Sequence, residues 1–202
     1  MVQEKEVRYL MQPVELRTVE NNEDGSTTKT LLGYVVKWNQ RSHLIWGEFY
    51  EKVAKGAFAR SLKEDVIKAL WNHRSDFVLG STKPGTLRLE EDDIGLRFEI
   101  DLPNNSWGND ACESVGRGDV DGVSFGFNVR ENGYAWQYLI DEDVYERTLL
   151  DVKLSEVSPT PFPAYPDSEI SQRSLENLGI TTKEQRRLEK EKLLIEIDLL
   201  AI

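Results

Sequence analysis

The chain is poor in the residues that build metal and redox centres. Of its 202 residues, one is a cysteine (Cys112) and two are histidines (His43 and His73). A lone cysteine excludes an intrachain disulfide and any cysteine-built zinc cage. Two widely spaced histidines without an HExxH pattern exclude a histidine-rich metal centre, so neither a metal nor a cofactor is expected. Positive charge is also scarce, with 25 Lys and Arg against 36 Asp and Glu for a net charge of −11. The basic residues are scattered apart from Arg186-Arg187, whereas nucleic-acid binding needs them concentrated. Nucleic acid is therefore not an expected partner, and an acidic surface better suits a basic or neutral protein. No apolar run is long enough to span a bilayer, so no membrane association is expected. The polar stretch Met1–Glu6 lacks the apolar core of a signal peptide, and a cytosolic setting is the expectation.

The chain is long enough to bury a full core in one domain. Its pattern is mostly β with about three helices. Val7–Leu10 and Val14–Val19 read as strands separated by Pro13, and Val14–Trp38 as a long hairpin turning at Asn21–Ser26. Ala57–Glu64 reads as a short helix, followed by strands at Val66–Trp71, Leu79–Thr82, Thr86–Glu91 and Ile94–Leu102. A helix is expected over Asn109–Gly116, started by Asn109 or Asp110. Beyond it come a strand around Ser124, a hairpin at Glu131–Gly133, Ala135–Ile140, a long strand Arg147–Ser158 and a proline-rich loop to Pro166. Leu188, Leu193, Ile197 and Leu200 recur at helical spacing within Thr182–Leu200. Two parts follow: residues 1–180 as the main domain, and residues 181–202 as an amphipathic helix packed on it or on a second subunit.

Asp121-Gly122-Val123-Ser124-Phe125-Gly126-Phe127 is the most informative stretch. Strand alternation puts Val123, Phe125, Phe127 and Val129 on one face and Gly122, Ser124 and Gly126 on the other. A serine hydroxyl on a strip of bare backbone suits a nucleophile approached by another chain, with Gly122 and Gly126 making room for substrate. A strand whose glycines merely accommodate a neighbouring element would carry the same motif. A serine nucleophile needs a base, and the base an orienting partner. His73 is the better base candidate, because it ends the Val66–Trp71 strand and alternation puts it beside Ile67, Ala69 and Trp71. His43 sits in a polar connection. In Leu150–Glu156, alternation groups Leu150, Val152, Leu154 and Glu156, so an apolar face ends in a carboxylate that an imidazole N–H would satisfy. Asp119, Asp121 and Asp151 are further carboxylates that spacing leaves open.

Several segments, taken in order, resemble the tailed-phage prohead (capsid maturation) serine proteases. They are Leu70-Trp71-Asn72-His73 with Leu79-Gly80, Glu91–Leu96, Arg117–Phe127, Leu154–Ser158 and Pro163–Pro166. The resemblance spans roughly Gly33 to Ser168. It implies an α+β fold, mostly β with flanking helices, in which a small closed β-barrel is similar to that of the herpesvirus assembly proteases. It also implies that His73, Ser124 and Glu156 are the catalytic residues. The implied substrates are the major capsid protein, its scaffold segment and the protease itself. The implied setting is the inside of the immature capsid in the host cytoplasm, and the implied assembly is a homodimer. The alternative is a non-catalytic capsid-assembly or peptide-binding barrel protein, which would leave His73 and Glu156 without a purpose.

Overall fold

The computed structural model describes residues 5–10, 14–20, 27–45 and 47–161. The expected turn at Asn21–Ser26, the end of the proline-rich loop and the helix at Thr182–Leu200 lie outside the described residues. In chain order the strands are β1 (Glu6–Leu10), β2 (Val14–Glu20), β3 (Thr27–Lys37) and β4 (Phe49–Val53). Helix α1 (Ala59–Glu64) leads to β5 (Lys68–Trp71), β6 (Arg74–Ser81), β7 (Leu87–Glu91) and β8 (Gly95–Asp101). Helix α2 (Ser106–Gly116) is followed by β9 (Gly122–Val129), β10 (Tyr134–Leu139), β11 (Val144–Leu149) and β12 (Val152–Thr160). Helix α2 starts earlier than expected, because the Asn105 side chain accepts the Gly108 N–H at 2.8 Å and caps it.

The strands form three sheets, ordered β1-β9-β12-β5-β6, β2-β3-β8-β7 and β10-β11-β4. The expected closed barrel is not formed. Closure requires the outermost strands of a sheet to pair with each other. Among the described residues, β1 and β6, β2 and β7, and β10 and β4 end their sheets, and all three stay open. Hydrophobic alternation looks the same in an open sheet and in a barrel, so the mostly β character was readable and the closure was not.

Two compact units divide the chain. The described part of the first falls within Met1–Arg41, Lys52–Ala135 and Thr148–Ala164. It holds the five- and four-stranded sheets and one continuous core that includes Leu31, Val35, Phe58, Ile67, Phe98, Val123, Phe125, Phe127 and Leu154. That core is assembled from alternate positions, as in β8, where Leu96, Phe98 and Ile100 are fully buried. The described part of the second unit falls within Ser42–Glu51 and Trp136–Arg147. There Arg147 donates from Nε to Glu51 Oε2 at 2.6 Å, with both side chains buried. The single long strand expected over Arg147–Ser158 is broken at Leu150-Asp151, where the chain leaves β11 and re-enters as β12.

Candidate active site

Strand β9 lies between β1 and β12. Its Val123, Phe125 and Phe127 side chains enter the core, and the two phenyl rings stack with centroids 5.2 Å apart. The other face of β9 meets a polar row from β12, since Gly122 pairs with Thr160, Ser124 with Ser158, and Gly126 with Glu156. Cross-strand partners share a face, so Ser124, Ser158 and Glu156 line one polar surface backed by the phenyl core.

Glu156 reaches that surface through a β-bulge. Leu154 pairs with Phe127 and Val157 with Phe125, both on the core face, and the register shifts between Leu154 and Glu156. One extra residue, Ser155, reverses the phase of the strand. Strict alternation grouped Glu156 with Leu154. The bulge instead delivers its carboxylate to the serine face.

His73 is presented by a turn rather than by the continuation of β5. Trp71 pairs with Arg74, and the two residues between them, Asn72 and His73, have φ of 51° and 60°. Positive φ at both central positions is the pattern of a type I′ hairpin turn. Asparagine tolerates it, whereas a histidine there costs about 1–2 kcal/mol. Contacts to β12 hold the turn in place. The Asn72 N–H donates to Pro159 O at 3.1 Å, Thr160 Oγ1 to Asn72 Oδ1 at 2.7 Å, and the His73 N–H to Ser158 Oγ at 3.3 Å.

The imidazole meets the carboxylate directly, with His73 Nδ1 2.8 Å from Glu156 Oε1. The other oxygen, Oε2, accepts the Ser158 hydroxyl at 2.6 Å, and Lys5 Nζ donates to Oε1 at 3.0 Å. The Glu156 side chain is only 3% exposed. Burial by itself would push its carboxyl up. The hydrogen bonds from His73 and Ser158, with the charges of His73 and Lys5, outweigh burial and hold it below the ordinary carboxylate value. An ionised Glu156 accepts a proton-bearing Nδ1, which leaves Nε2 as the basic nitrogen of the neutral ring. His73 Nε2 is buried and has no hydrogen-bond partner among the described residues.

Ser124 is fully buried, contrary to the expectation of a bare hydroxyl. Strand β1 pairs along β9, and Ser124 Oγ donates to the Arg8 carbonyl at 2.8 Å. The space over Gly126 is also filled. A Cβ there would lie 2.5 Å from Glu156 Oε1 and would meet the end of the Lys5 side chain. Of the other carboxylates that spacing left open, Asp119 pairs with Arg117 at 3.0 Å, Asp151 lies 3.5 Å from Arg130 and Asp121 is exposed. His43 belongs to the second unit and is exposed. The sequence reading missed Ser158 and Lys5. Ser158 carried a signal, being two residues beyond Glu156 and so on the same strand face. Lys5 is 151 residues from its partner and carried none.

The fold is similar to that of a solved structure, the capsid assembly protease gp21 of bacteriophage T4. The two agree with a TM-score of 0.54 over 77% of this chain and 98% of the other, at 11% sequence identity. No curated protein matches the chain by sequence. The family described as Caudovirus prohead serine protease does match, over residues 12–180. The chain is thus a serine protease. More narrowly, it belongs to the Caudovirus prohead serine proteases, the enzymes of capsid maturation in tailed phages.

Proposed function

We propose that Ser124 is the nucleophile, His73 the general base and Glu156 the residue that orients and charges the base. One observation carries this reading. A buried carboxylate holds the imidazole Nδ1 at 2.8 Å on the same strand face as the only serine of the Gly-Ser-Gly motif. Once Ser124 Oγ is freed from the Arg8 carbonyl, His73 Nε2 takes its proton as Oγ attacks the scissile carbonyl carbon. Glu156 stabilises the imidazolium so formed. Collapse of the tetrahedral intermediate breaks the C–N bond, and Nε2–H protonates the leaving amine. Water, deprotonated by the same nitrogen, then hydrolyses the acyl-enzyme and regenerates Ser124.

Ser158 acts through Glu156, fixing Oε2 so that Oε1 faces the imidazole. Gly122 and Gly126 keep the serine face low enough for a substrate backbone, with Lys5 moving aside over Gly126. On this reading the substrates are the major capsid protein, its scaffold segment and the protease itself. Cleavage takes place inside the immature capsid in the host cytoplasm and needs no cofactor, nucleic acid or membrane. A homodimer belongs to the same reading, with residues 181–202 as a helix packed on the main domain or on the second subunit. No helix among the described residues is long and apolar enough to cross a membrane.

Incubation of the Ser124→Ala chain with the cognate capsid protein, followed by intact mass spectrometry, tests the assignment. The variant is expected to leave the capsid protein uncut under conditions where the parent processes it. Processing by the variant would remove Ser124 from the mechanism.

A further inference from the structure

We propose that the edge of β9 beside Ser124 is the lane in which an extended peptide substrate lies, and that residues 5–10 of this chain occupy it as a tethered competitor. The inference rests on the assignment of Ser124 as nucleophile and adds where the substrate lies and what must leave first.

Three observations converge on the lane. The first is topology. Among the described residues, strand β1 is the outermost strand of its sheet and pairs with β9 alone, antiparallel, from Glu6 opposite Phe127 to Leu10 opposite Val123. An edge of this kind accepts any extended chain through main-chain hydrogen bonds, so the five residues of β1 hold a place that another peptide can take.

The second is the position of a peptide carbonyl. The register sets Tyr9 opposite Ser124, and the carbonyl of the preceding residue, Arg8, receives the Ser124 hydroxyl at 2.8 Å. A peptide carbonyl is the group a serine nucleophile has to meet, and β1 already supplies one. It does so unproductively. The hydroxyl proton is spent on the carbonyl oxygen, and His73 Nε2, the nitrogen that would take it, has no partner among the described residues.

The third is Lys5. Its ammonium lies 3.0 Å from Glu156 Oε1, the same oxygen that holds His73 Nδ1. The resident strand therefore touches two members of the proposed triad, binding the hydroxyl with its backbone and the carboxylate with a side chain. The Lys5 side chain is 44% exposed, so water can replace its ammonium on the buried Glu156 carboxylate when it leaves. A five-residue strand at the edge of the described sheet is poised to be displaced. Its departure uncovers the space above Gly126 as well as the serine.

The test uses the full chain and a fluorophosphonate probe that labels an accessible, activated serine. Adjacent N–H groups in a strand point to opposite sides, so the double substitution Val7→Pro and Arg8→Pro removes at least one donor facing β9, whichever residue carries it. Labelling of Ser124 is expected to rise about tenfold, the gain for a lane that is open about a tenth of the time in the parent. A synthetic peptide of the sequence Lys5–Leu10, in excess, is expected to slow the double variant again. Lys5→Ala keeps every backbone donor and should move in the same direction by a smaller factor. An unchanged rate in a double variant that still melts cooperatively, with no effect of the peptide, overturns the lane. If the double variant does not fold, an unchanged rate in Lys5→Ala overturns it instead. Labelling of the parent that persists in Ser124→Ala overturns the nucleophile assignment, and the lane with it.

Discussion

Replacing Glu156 by glutamine tests the proposed triad at its most buried member. The carboxylate accepts three hydrogen bonds, from His73 Nδ1 at 2.8 Å, Ser158 Oγ at 2.6 Å and Lys5 Nζ at 3.0 Å. Glutamine keeps the shape but offers one acceptor oxygen, and its NH2 group points a donor at another donor. If the amide oxygen stays on Ser158, the NH2 faces His73 and selects the wrong tautomer, with the proton on Nε2. If it turns to His73, the Ser158 hydroxyl loses its acceptor. In either case no negative charge remains to stabilise the imidazolium. The comparable loss in a Ser-His-Asp triad is about 10⁴-fold in kcat, or about 5.5 kcal/mol at 1.4 kcal/mol per decade. A fall in kcat of about 10³–10⁴ is expected here, with KM within a few-fold, because Glu156 is buried beneath the substrate face. Leaving a buried donor unpaired also costs about 1–3 kcal/mol of stability, so the assay belongs at a temperature where the variant is folded by circular dichroism. Single-turnover cleavage of a peptide spanning a capsid-protein cleavage site gives the rate. A kcat within about threefold of the parent, less than about 0.7 kcal/mol, would refute the role given to Glu156.

Other outcomes follow from the same geometry. Gly126→Val places a Cβ 2.5 Å from Glu156 Oε1, the oxygen that His73 and Lys5 hold while Ser158 holds Oε2, so Glu156 has to move. Cleavage is expected to be lost while the sheet still folds, and a folded, fully active variant would contradict the close approach. Because the Glu156 carboxyl is held below its ordinary value of 4.5, it stabilises the native state above that pH. That contribution is lost as pH falls through the depressed value. The difference in melting temperature between the parent and Glu156→Gln should therefore be largest near neutral pH and shrink on acidification. A difference that grows in acid would refute the depressed carboxyl.

The periodic features were legible from the sequence. The Val123, Phe125 and Phe127 face was readable because period-two alternation is local, and all three side chains are in the core. His73 and Glu156 could be singled out by chemistry, since histidines are few and alternation set a carboxylate at the end of an apolar face, and their side chains do meet. Features that depend on a partner strand were not legible. The bulge at Ser155 is one residue in one strand and acquires meaning only against β9. The open edges of the sheets depend on pairings between distant segments, and so does the cover over Ser124, which comes from a strand 116 residues away. The left-handed turn at Asn72-His73 is fixed by contacts to Ser158, Pro159 and Thr160, which no local pattern encodes.

The most direct test of the central claim is tandem mass spectrometry of the fluorophosphonate-treated chain. A single adduct on Ser124 is predicted, present in the parent and lost in His73→Ala when that variant remains folded. An adduct on another serine, or one on Ser124 that forms as fast without His73, would contradict the catalytic assignment.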